Sequence, residues 1–164
     1  MLQVVTVRRG KVLDKYLKKI AQMKTGARVG ILNGATYPDG LSVATVAYIN
    51  ENGEMGNPRR PFMHRTMEQN GEKWVKGIKS TVNGNFSEAN VIKAYDFAGQ
   101  VAKADMINTI KKWSPDDPRP NAPATIAAKA RKARSGKGTT GIDPNRVLID
   151  TTTMIQSIDY EVVK

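Results

Sequence analysis

Residues 88–113, EANVIKAYDFAGQVAKADMINTIKKW, carry the clearest pattern in the chain. Apolar and small residues recur there at steps of three and four: Ile92, Tyr95, Gly99, Ala102, Met106, Ile110 and Trp113. This spacing predicts one face of an α-helix, which at about 1.5 Å per residue is long enough to cross a small domain. Ser87 is a suitable N-cap. Four prolines within residues 114–123 end the helix, because proline is excluded from a helix interior.

A second helix is predicted to begin at Pro61, since proline is tolerated in a first helical turn. Its apolar face is formed by Met63, Met67, Trp74 and Ile78. Both tryptophans, Trp74 and Trp113, are therefore predicted to be core residues. Directly before this helix, the stretch NPRRP at 57–61 places Arg59 and Arg60 between two prolines, which is an unusual helix entry.

Three further stretches are predicted to be strands. Residues 28–32 and 42–50 are rich in β-branched side chains and flank Asn-Gly and Pro-Asp-Gly turn signals, which favours an antiparallel hairpin with a long tip. Residues 158–162 alternate apolar and acidic side chains, which indicates a closing strand. The expected fold class is α+β: a small antiparallel β-sheet packed against a long α-helix, with additional N-terminal and post-strand helices.

The two remaining regions are basic. An N-terminal amphipathic helix is predicted from the apolar residues Val12, Leu13, Tyr16, Leu17, Ile20 and Met23, with Lys15, Lys18 and Lys19 facing outward. Within a single domain spanning 1–164, residues 114–146 are predicted to be an extended or mobile loop rich in proline, glycine and basic residues. The basic part of that region is expected to be a mobile loop or a short helix, and it contains Lys129, Arg131, Lys132, Arg134 and Lys137.

Composition limits the classes of function. A length of 164 residues suits one domain. The net charge of +11 favours an anionic neighbour, although a basic solvated surface explains it equally well. The absence of cysteine excludes disulfides and thiolate chemistry. No signal peptide is recognised and no membrane span is expected, because no apolar run is long enough.

No catalytic, cofactor or metal site is predicted. The stretch RSGKGTTG differs from a phosphate-binding loop, which needs glycine at Arg131 and serine or threonine at Gly138. His64 is the only histidine and has no recognisable catalytic partners. Asp116 and Asp117 lie in a proline-rich turn, where acids commonly serve as turn and cap residues.

Residues 129–137 leave three interpretations open. Their lysines and arginines could contact DNA phosphates without sequence preference. They could equally dock on an acidic protein and become ordered there, or remain solvated. Stacking on single-stranded bases is not supported, because the stretch contains no aromatic side chain.

Three ordered motifs resemble tailed-phage neck and tail-completion (head–tail joining) proteins, the family typified by the HK97 gene-10 product, and related prophage virion morphogenesis proteins. They are the strand exit A-x-x-x-E-x-G at 47–53, the turn P-x-R-P-F at 58–62 and the late turn at 148–158. With their spacing they cover about two-thirds of the chain. Two positions depart from the family pattern: Thr152 replaces a glycine, and Asn52 replaces a typical aromatic residue.

The resemblance implies a non-catalytic virion protein that forms a ring, expected to be a hexamer, at the head–tail junction. The partners it implies are further copies of this chain, the head connector or adaptor, the tail tube or terminator, and passing DNA. The subunit interface is expected to involve Glu51, Glu54, Arg59, Arg60, Phe62 and His64, with arginine–carboxylate pairs between neighbours. The other interpretation is that these residues only begin the helix and the arginines are solvated. A tail terminator or a basic DNA-contacting morphogenesis protein remains an alternative.

Overall fold

A computed structural model of the chain describes residues 24–32, 34–113, 119–136 and 143–164, together with Lys18. The elements are, in chain order, strand β1 (Gly26–Ile31), helices α1 (Val43–Asn52), α2 (Phe62–Val82), α3 (Glu88–Lys112), α4 (Pro123–Arg134) and α5 (Thr153–Gln156), and strand β2 (Ile158–Val163). The two strands form an antiparallel sheet that packs against the long helix α3. The predicted α+β class is confirmed.

Helix α3 has nearly the predicted bounds. The Ser87 hydroxyl accepts a hydrogen bond from the Asn90 backbone N–H at 3.3 Å, and two lysines occupy the last turn, where they complement the helix dipole. The predicted apolar face is buried from Gly99 to Trp113. Nearer the N-terminus the buried positions are instead Val91, Ala94 and Ala98. This face packs against α2, to which α3 is joined by a short turn, so that the two helices form an antiparallel pair.

The predicted hairpin is wrong. Strand β1 pairs with β2, from Gly26 opposite Val163 to Ile31 opposite Ile158, whereas most of residues 42–50 belongs to helix α1. Val43 and Ala47 are both buried and lie one helical turn apart. A short run rich in β-branched residues does not by itself distinguish a strand from a buried helix. The closing strand predicted at 158–162 is confirmed.

Helix α1 is determined by its two ends. The Ser42 side chain accepts a hydrogen bond from the Thr45 backbone N–H at 3.3 Å. At the other end, Gly53 adopts the left-handed conformation with φ of 77°, and its N–H bonds to the Ile49 carbonyl. Serine at the N-cap and glycine just after the last turn are standard helix boundary signals. These capping contacts and the helical burial pattern outweigh the local β propensity.

The basic region contains a helix. Within the predicted extended or mobile loop at 114–146, residues Pro123–Arg134 form α4, with proline in its first turn. Of the two alternatives for the basic part, a mobile loop or a short helix, the structure has the helix up to Arg134. Lys137, Asp116 and Asp117 lie outside the described residues, as does the predicted helix at 12–23 apart from Lys18, which is helical and exposed.

The main core lies where α1, the start of α2, the end of α3 and the last elements of the chain meet. It contains Val43, Ala47, Phe62, Met106, Ile110, Trp113, Val147, Ile149, Met154, Ile155 and Ile158. A smaller cluster of Val82, Val91 and Ala94 lies near the α2–α3 turn. None of the helices in the described part of the chain is both long and apolar enough to cross a membrane.

Candidate interaction site

The connection between α1 and α2, together with the helix ends that flank it, contains the residues predicted to lie at a subunit interface. After Gly53 the chain turns back on itself, so that the Gly53 Cα lies against the backbone of Arg59. A Cβ built on Gly53 would lie 2.8 Å from the Arg59 Cα. Only a glycine allows this approach, and residues 53–59 therefore form a closed turn.

Glu51 caps helix α2 from outside that helix. Its carboxylate oxygens accept hydrogen bonds from the backbone N–H groups of Met63, at 2.9 Å, and His64, at 3.0 Å. Pro61, at the N-cap position, makes no side-chain cap hydrogen bond, so the carboxylate of Glu51 supplies the acceptors. A negative charge at a helix N-terminus is also stabilised by the helix dipole. The predicted partner of an arginine in a neighbouring subunit thus has hydrogen-bond partners within its own chain.

Replacing Glu51 with alanine is expected to lower the free energy of unfolding by about 1–2 kcal/mol, because two charge-assisted hydrogen bonds are lost at a helix end. Urea unfolding followed by circular dichroism measures this change. Glu54→Ala is the matched control, since Glu54 is exposed and should give a change within about 0.5 kcal/mol. Equal effects of the two substitutions would contradict the capping role of Glu51.

The two arginines between the prolines point to different environments. Arg60 is only 5% exposed, and its guanidinium donates hydrogen bonds to the carbonyls of Arg119, at 3.0 Å, and Pro120, at 3.4 Å. Its backbone N–H also bonds to the Asn50 carbonyl. Arg59 is exposed, and its Nε donates to the Glu51 carbonyl at 3.3 Å. The turn therefore directs one arginine inward, to hold residues 119–120, and the other to the surface.

The structure corrects the expectation for Arg60 and Phe62. Phe62 is 0% exposed and lies in the main core, so it has no surface to offer another subunit. Arg60 would have to leave the two carbonyls it binds before it could pair with a neighbour. Both residues join parts of the same chain.

Four exposed residues around this connection form what we call the junction surface: Tyr48, Glu54, Met55 and Arg59. Met55 is 84% exposed, which is unusual for a large apolar side chain. The Tyr48 hydroxyl hydrogen-bonds the Glu54 carboxylate, which raises the pKa of Tyr48. His64 lies near this surface, with its Nε2 3.1 Å from a carboxylate oxygen of Glu68 one helical turn away. Aromatic, methionine and arginine side chains are enriched at protein interfaces.

The three motifs of the family resemblance meet at one cavity of about 270 Å³. The first contributes Asn50, the second Pro58 and Arg60, and the third residues 148–154.

Thr152, which departs from the family pattern, has a φ of 63°. Glycine adopts this left-handed conformation more easily than other residues. The family pattern therefore has glycine at a position where the backbone favours it.

Helix α4 borders the cavity with part of its basic face. The Lys129 ammonium donates hydrogen bonds to the carbonyls of Arg146 and Ile149, each at 2.7 Å. Burial lowers the pKa of Lys129, and attraction to Asp150 partly opposes this effect. Lys132 forms an ion pair with Asp150 at 2.6 Å. These two lysines therefore hold α4 against residues 146–150.

The other two basic residues of α4, Arg131 and Arg134, are exposed. The helix carries no acidic residue that could neutralise them. Of the five basic residues predicted to contact DNA or a partner, the structure thus exposes Arg131, Lys132 and Arg134, of which Lys132 also pairs with Asp150, and half-buries Lys129. The fifth, Lys137, is outside the described residues.

Two features of the helix pair were not predicted. Asp105 accepts a hydrogen bond from the Trp74 indole N–H at 2.7 Å and pairs with Lys73 at 2.7 Å. The predicted apolar face of α2 lines an open groove of about 480 Å³. Met63 and Ile78 also pack against the two core clusters, whereas Met67 and Trp74 belong to neither cluster. The sequence indicates that a half-buried Trp74 needs an acceptor for its indole N–H. It does not identify Asp105 as that acceptor, because Asp105 lies on another helix.

No family model, curated protein or solved structure matches the chain. Within the described residues there is also no group of three or more histidine, aspartate or glutamate side chains placed to hold a metal ion. What supports a function for this chain is therefore the geometry of its own residues, above all the meeting of the three motifs and the exposed side chains beside them.

Proposed function

We propose that this chain is a structural protein of a tailed-phage virion, which assembles into a ring at the head–tail junction and takes part in tail completion. The observation that carries this proposal is the convergence of the three motifs on one cavity. Residues from positions 50 to 154 meet there although they are far apart in sequence. Motifs that depend on each other spatially are less easily explained by chance than three independent short matches.

The motif residues have roles that a shared fold would require. Gly53 closes the turn after α1, Glu51 caps α2 and Phe62 fills the core. These roles support a similar junction in the proteins that the chain resembles. Gly53, Glu51 and Phe62 do not themselves contact a partner. The proposed contacts come from the exposed residues of the junction surface.

The junction surface is the proposed contact between subunits. It combines the exposed Arg59 and Glu54 with two large side chains, Tyr48 and Met55. In a closed ring each subunit presents two different surfaces to its two neighbours. The junction surface of one subunit therefore meets a different surface of the next, where Arg59 can pair with a carboxylate and Glu54 with a cation.

Light scattering at several protein concentrations tests the assembly. The wild-type chain is expected to reach six times the 18.0 kDa mass of one copy, and Arg59→Glu or Glu54→Arg to remain monomeric, because each opposes like charges at the contact. The charge-swapped double variant should also remain monomeric, because recovery would mean that the junction surface pairs with itself, as in a two-fold dimer. Lys76→Glu, which makes the same charge change at an exposed position of α2, is the control.

A wild-type chain that remains monomeric at every concentration would oppose self-assembly in solution. Assembly by the wild type that Arg59→Glu and Glu54→Arg leave intact would remove the junction surface from the ring contact. Assembly lost equally in Lys76→Glu would show a general effect of charge. Circular dichroism of each variant separates loss of assembly from loss of folding.

Contact with DNA is a second candidate function, favoured by the exposed Arg131 and Arg134 on a helix without acidic residues. The affinity of the monomeric Arg59→Glu variant for duplex DNA, measured at several salt concentrations, tests this candidate. Two phosphate contacts predict a logarithmic salt dependence of duplex binding with a slope of about −2. Binding with this slope that is lost in Arg131→Glu/Arg134→Glu would favour a DNA-contacting protein. Unchanged binding in that variant would exclude α4 as the contact.

A further inference from the structure

No element among the described residues covers one side of the apolar groove between the sheet and the helix pair. Its apolar walls come from three elements, and two polar residues, Glu51 of α1 and His64 of α2, also line it. Strand β1 contributes Ala27 and Val29, α2 contributes Met63, Met67, Trp74 and Ile78, and α3 contributes Tyr95, Ala98, Gly99 and Met106. Met67 is 54% exposed in the middle of the α2 wall. An apolar surface that is both concave and continuous indicates a binding site for another apolar surface.

The segment of chain that precedes β1 has the complementary pattern. Residues 12–23 place six apolar side chains on one helical face and three lysines on the other. Lys18, one of those three lysines, is helical and exposed, as expected for the outward face. A helix with one apolar face is stable in water mainly when that face is covered by another part of a protein.

The lengths of the segment and the groove are similar. At about 1.5 Å per residue, residues 12–23 would extend about 17 Å as a helix, and the α2 wall from Met63 to Ile78 extends about 22 Å. A single amphipathic helix could therefore cover most of the wall. Helix-in-groove binding of this kind uses apolar side chains at steps of three and four, as found in residues 12–23.

The connection between the segment and the groove is short. Only Lys24 and Thr25 separate Met23 from Gly26, where β1 begins, and Ala27 in that strand already lines the groove. A segment joined by so short a connection has an effective concentration at the groove in the millimolar range or above. A segment from a second copy of the chain would have to compete with it.

We propose that residues 12–23 bind as a helix in this groove of the same chain, with the apolar face toward Met67 and Trp74 and the lysines toward solvent. The groove is thus a docking site for the chain's own N-terminal segment. This inference does not depend on the proposed virion function, since it rests on the groove, the helical pattern and the two-residue connection.

The absence of cysteine in the natural chain makes disulfide mapping direct. Leu13→Cys, Leu17→Cys and Ile20→Cys are each combined with Met67→Cys, a half-exposed position in the α2 wall. Lys15→Cys and Lys19→Cys with Met67→Cys are the controls on the opposite face. Each full-length variant is oxidised and then digested, and the linked peptides are identified by mass spectrometry.

At least one apolar-face pair is expected to cross-link within one chain at least about tenfold faster than both controls, because a disulfide requires Cβ atoms about 4 Å apart. Equal rates for the two faces would overturn the docked helix. Links found only between chains, identified by the mass of the oxidised protein, would replace this occupant with a second copy.

Tryptophan fluorescence gives a second measurement that needs no cysteine. Trp74 lines the groove, whereas Trp113 is buried in the core. Leu13→Glu/Leu17→Glu is expected to shift the emission of Trp74 to longer wavelength while circular dichroism shows a folded chain. Lys15→Glu/Lys19→Glu makes a larger charge change on the other face and should leave the emission unchanged. An identical emission in both variants would contradict the docking.

Discussion

Gly53→Ala is expected to lower the free energy of unfolding by about 3 kcal/mol, from two separate causes. The first is the left-handed backbone with φ of 77°, which costs a residue with a Cβ about 1–2 kcal/mol. The second is collision, because the new Cβ would lie 2.7 Å from the Arg59 Cβ and 2.8 Å from its backbone N and Cα. Overpacking of this kind typically adds about 1–3 kcal/mol, and backbone atoms cannot move away as a flexible side chain can.

The matched control is Gly84→Ala, in the turn between α2 and α3. Gly84 has almost the same backbone conformation, with φ of 76°, but nothing lies within 4 Å of its Cβ position. The Gly84→Ala variant should therefore show only the strain, about 1–2 kcal/mol. Chemical denaturation of both variants measures the difference. Equal losses would mean that residues 53 and 59 are not in contact, and the closed turn described above would be wrong.

Gly99→Ala is expected to destabilise the protein by about 2 kcal/mol, although alanine is the better helix former by about 1 kcal/mol. The added Cβ would lie 2.3 Å from Cδ2 of the Tyr160 ring and 3.0 Å from its Cγ. The ring cannot easily turn away, because the Tyr160 hydroxyl donates a hydrogen bond to Asp96 at 2.9 Å and the residue lies within β2. The sheet and helix α3 would have to separate.

Gly77→Ala provides the control with the opposite sign. Gly77 is also inside a helix, and its Cβ would meet the Phe97 ring at 3.6 Å, an ordinary van der Waals contact. This substitution should stabilise the protein by about 1 kcal/mol through helix propensity alone. Thermal unfolding of the two variants therefore gives midpoints on either side of the wild type. A Gly99→Ala variant more stable than wild type would show that Tyr160 does not pack on Gly99.

The parts of the fold that could be predicted from sequence are those with signals in one continuous stretch. Helix α3 combines a serine cap, a regular apolar face and a proline stop, and β2 alternates apolar and acidic residues from Ile158 to Val162. Helix α1 is predicted as a strand from its β-branched residues, although Ser42 and Gly53 are recognisable in the sequence as helix caps. The pairing of β1 with β2 could not be predicted, because strand propensity does not identify a partner elsewhere in the chain.

The candidate site divides in the same way. Its residues were found by resemblance, but their roles depend on contacts between distant parts of the chain. Arg60 is buried because carbonyls from residues 119–120 come to meet it, and Glu51 is a cap because α2 begins beside it. Neither relation has a local signature. The exposure of Arg59, Arg131 and Arg134 likewise became known only from the fold.

The pairing of β1 with β2 also bears on the order in which the chain folds. The two strands are separated by nearly all of the described residues, so their pairing closes a very long loop, and the entropy of that closure must be lost before any ladder hydrogen bond forms. Contacts between α2 and α3, joined by a short turn, require no such loss. The helix pair is therefore the natural nucleus, and the sheet completes a structure whose helices have already brought its two strands together.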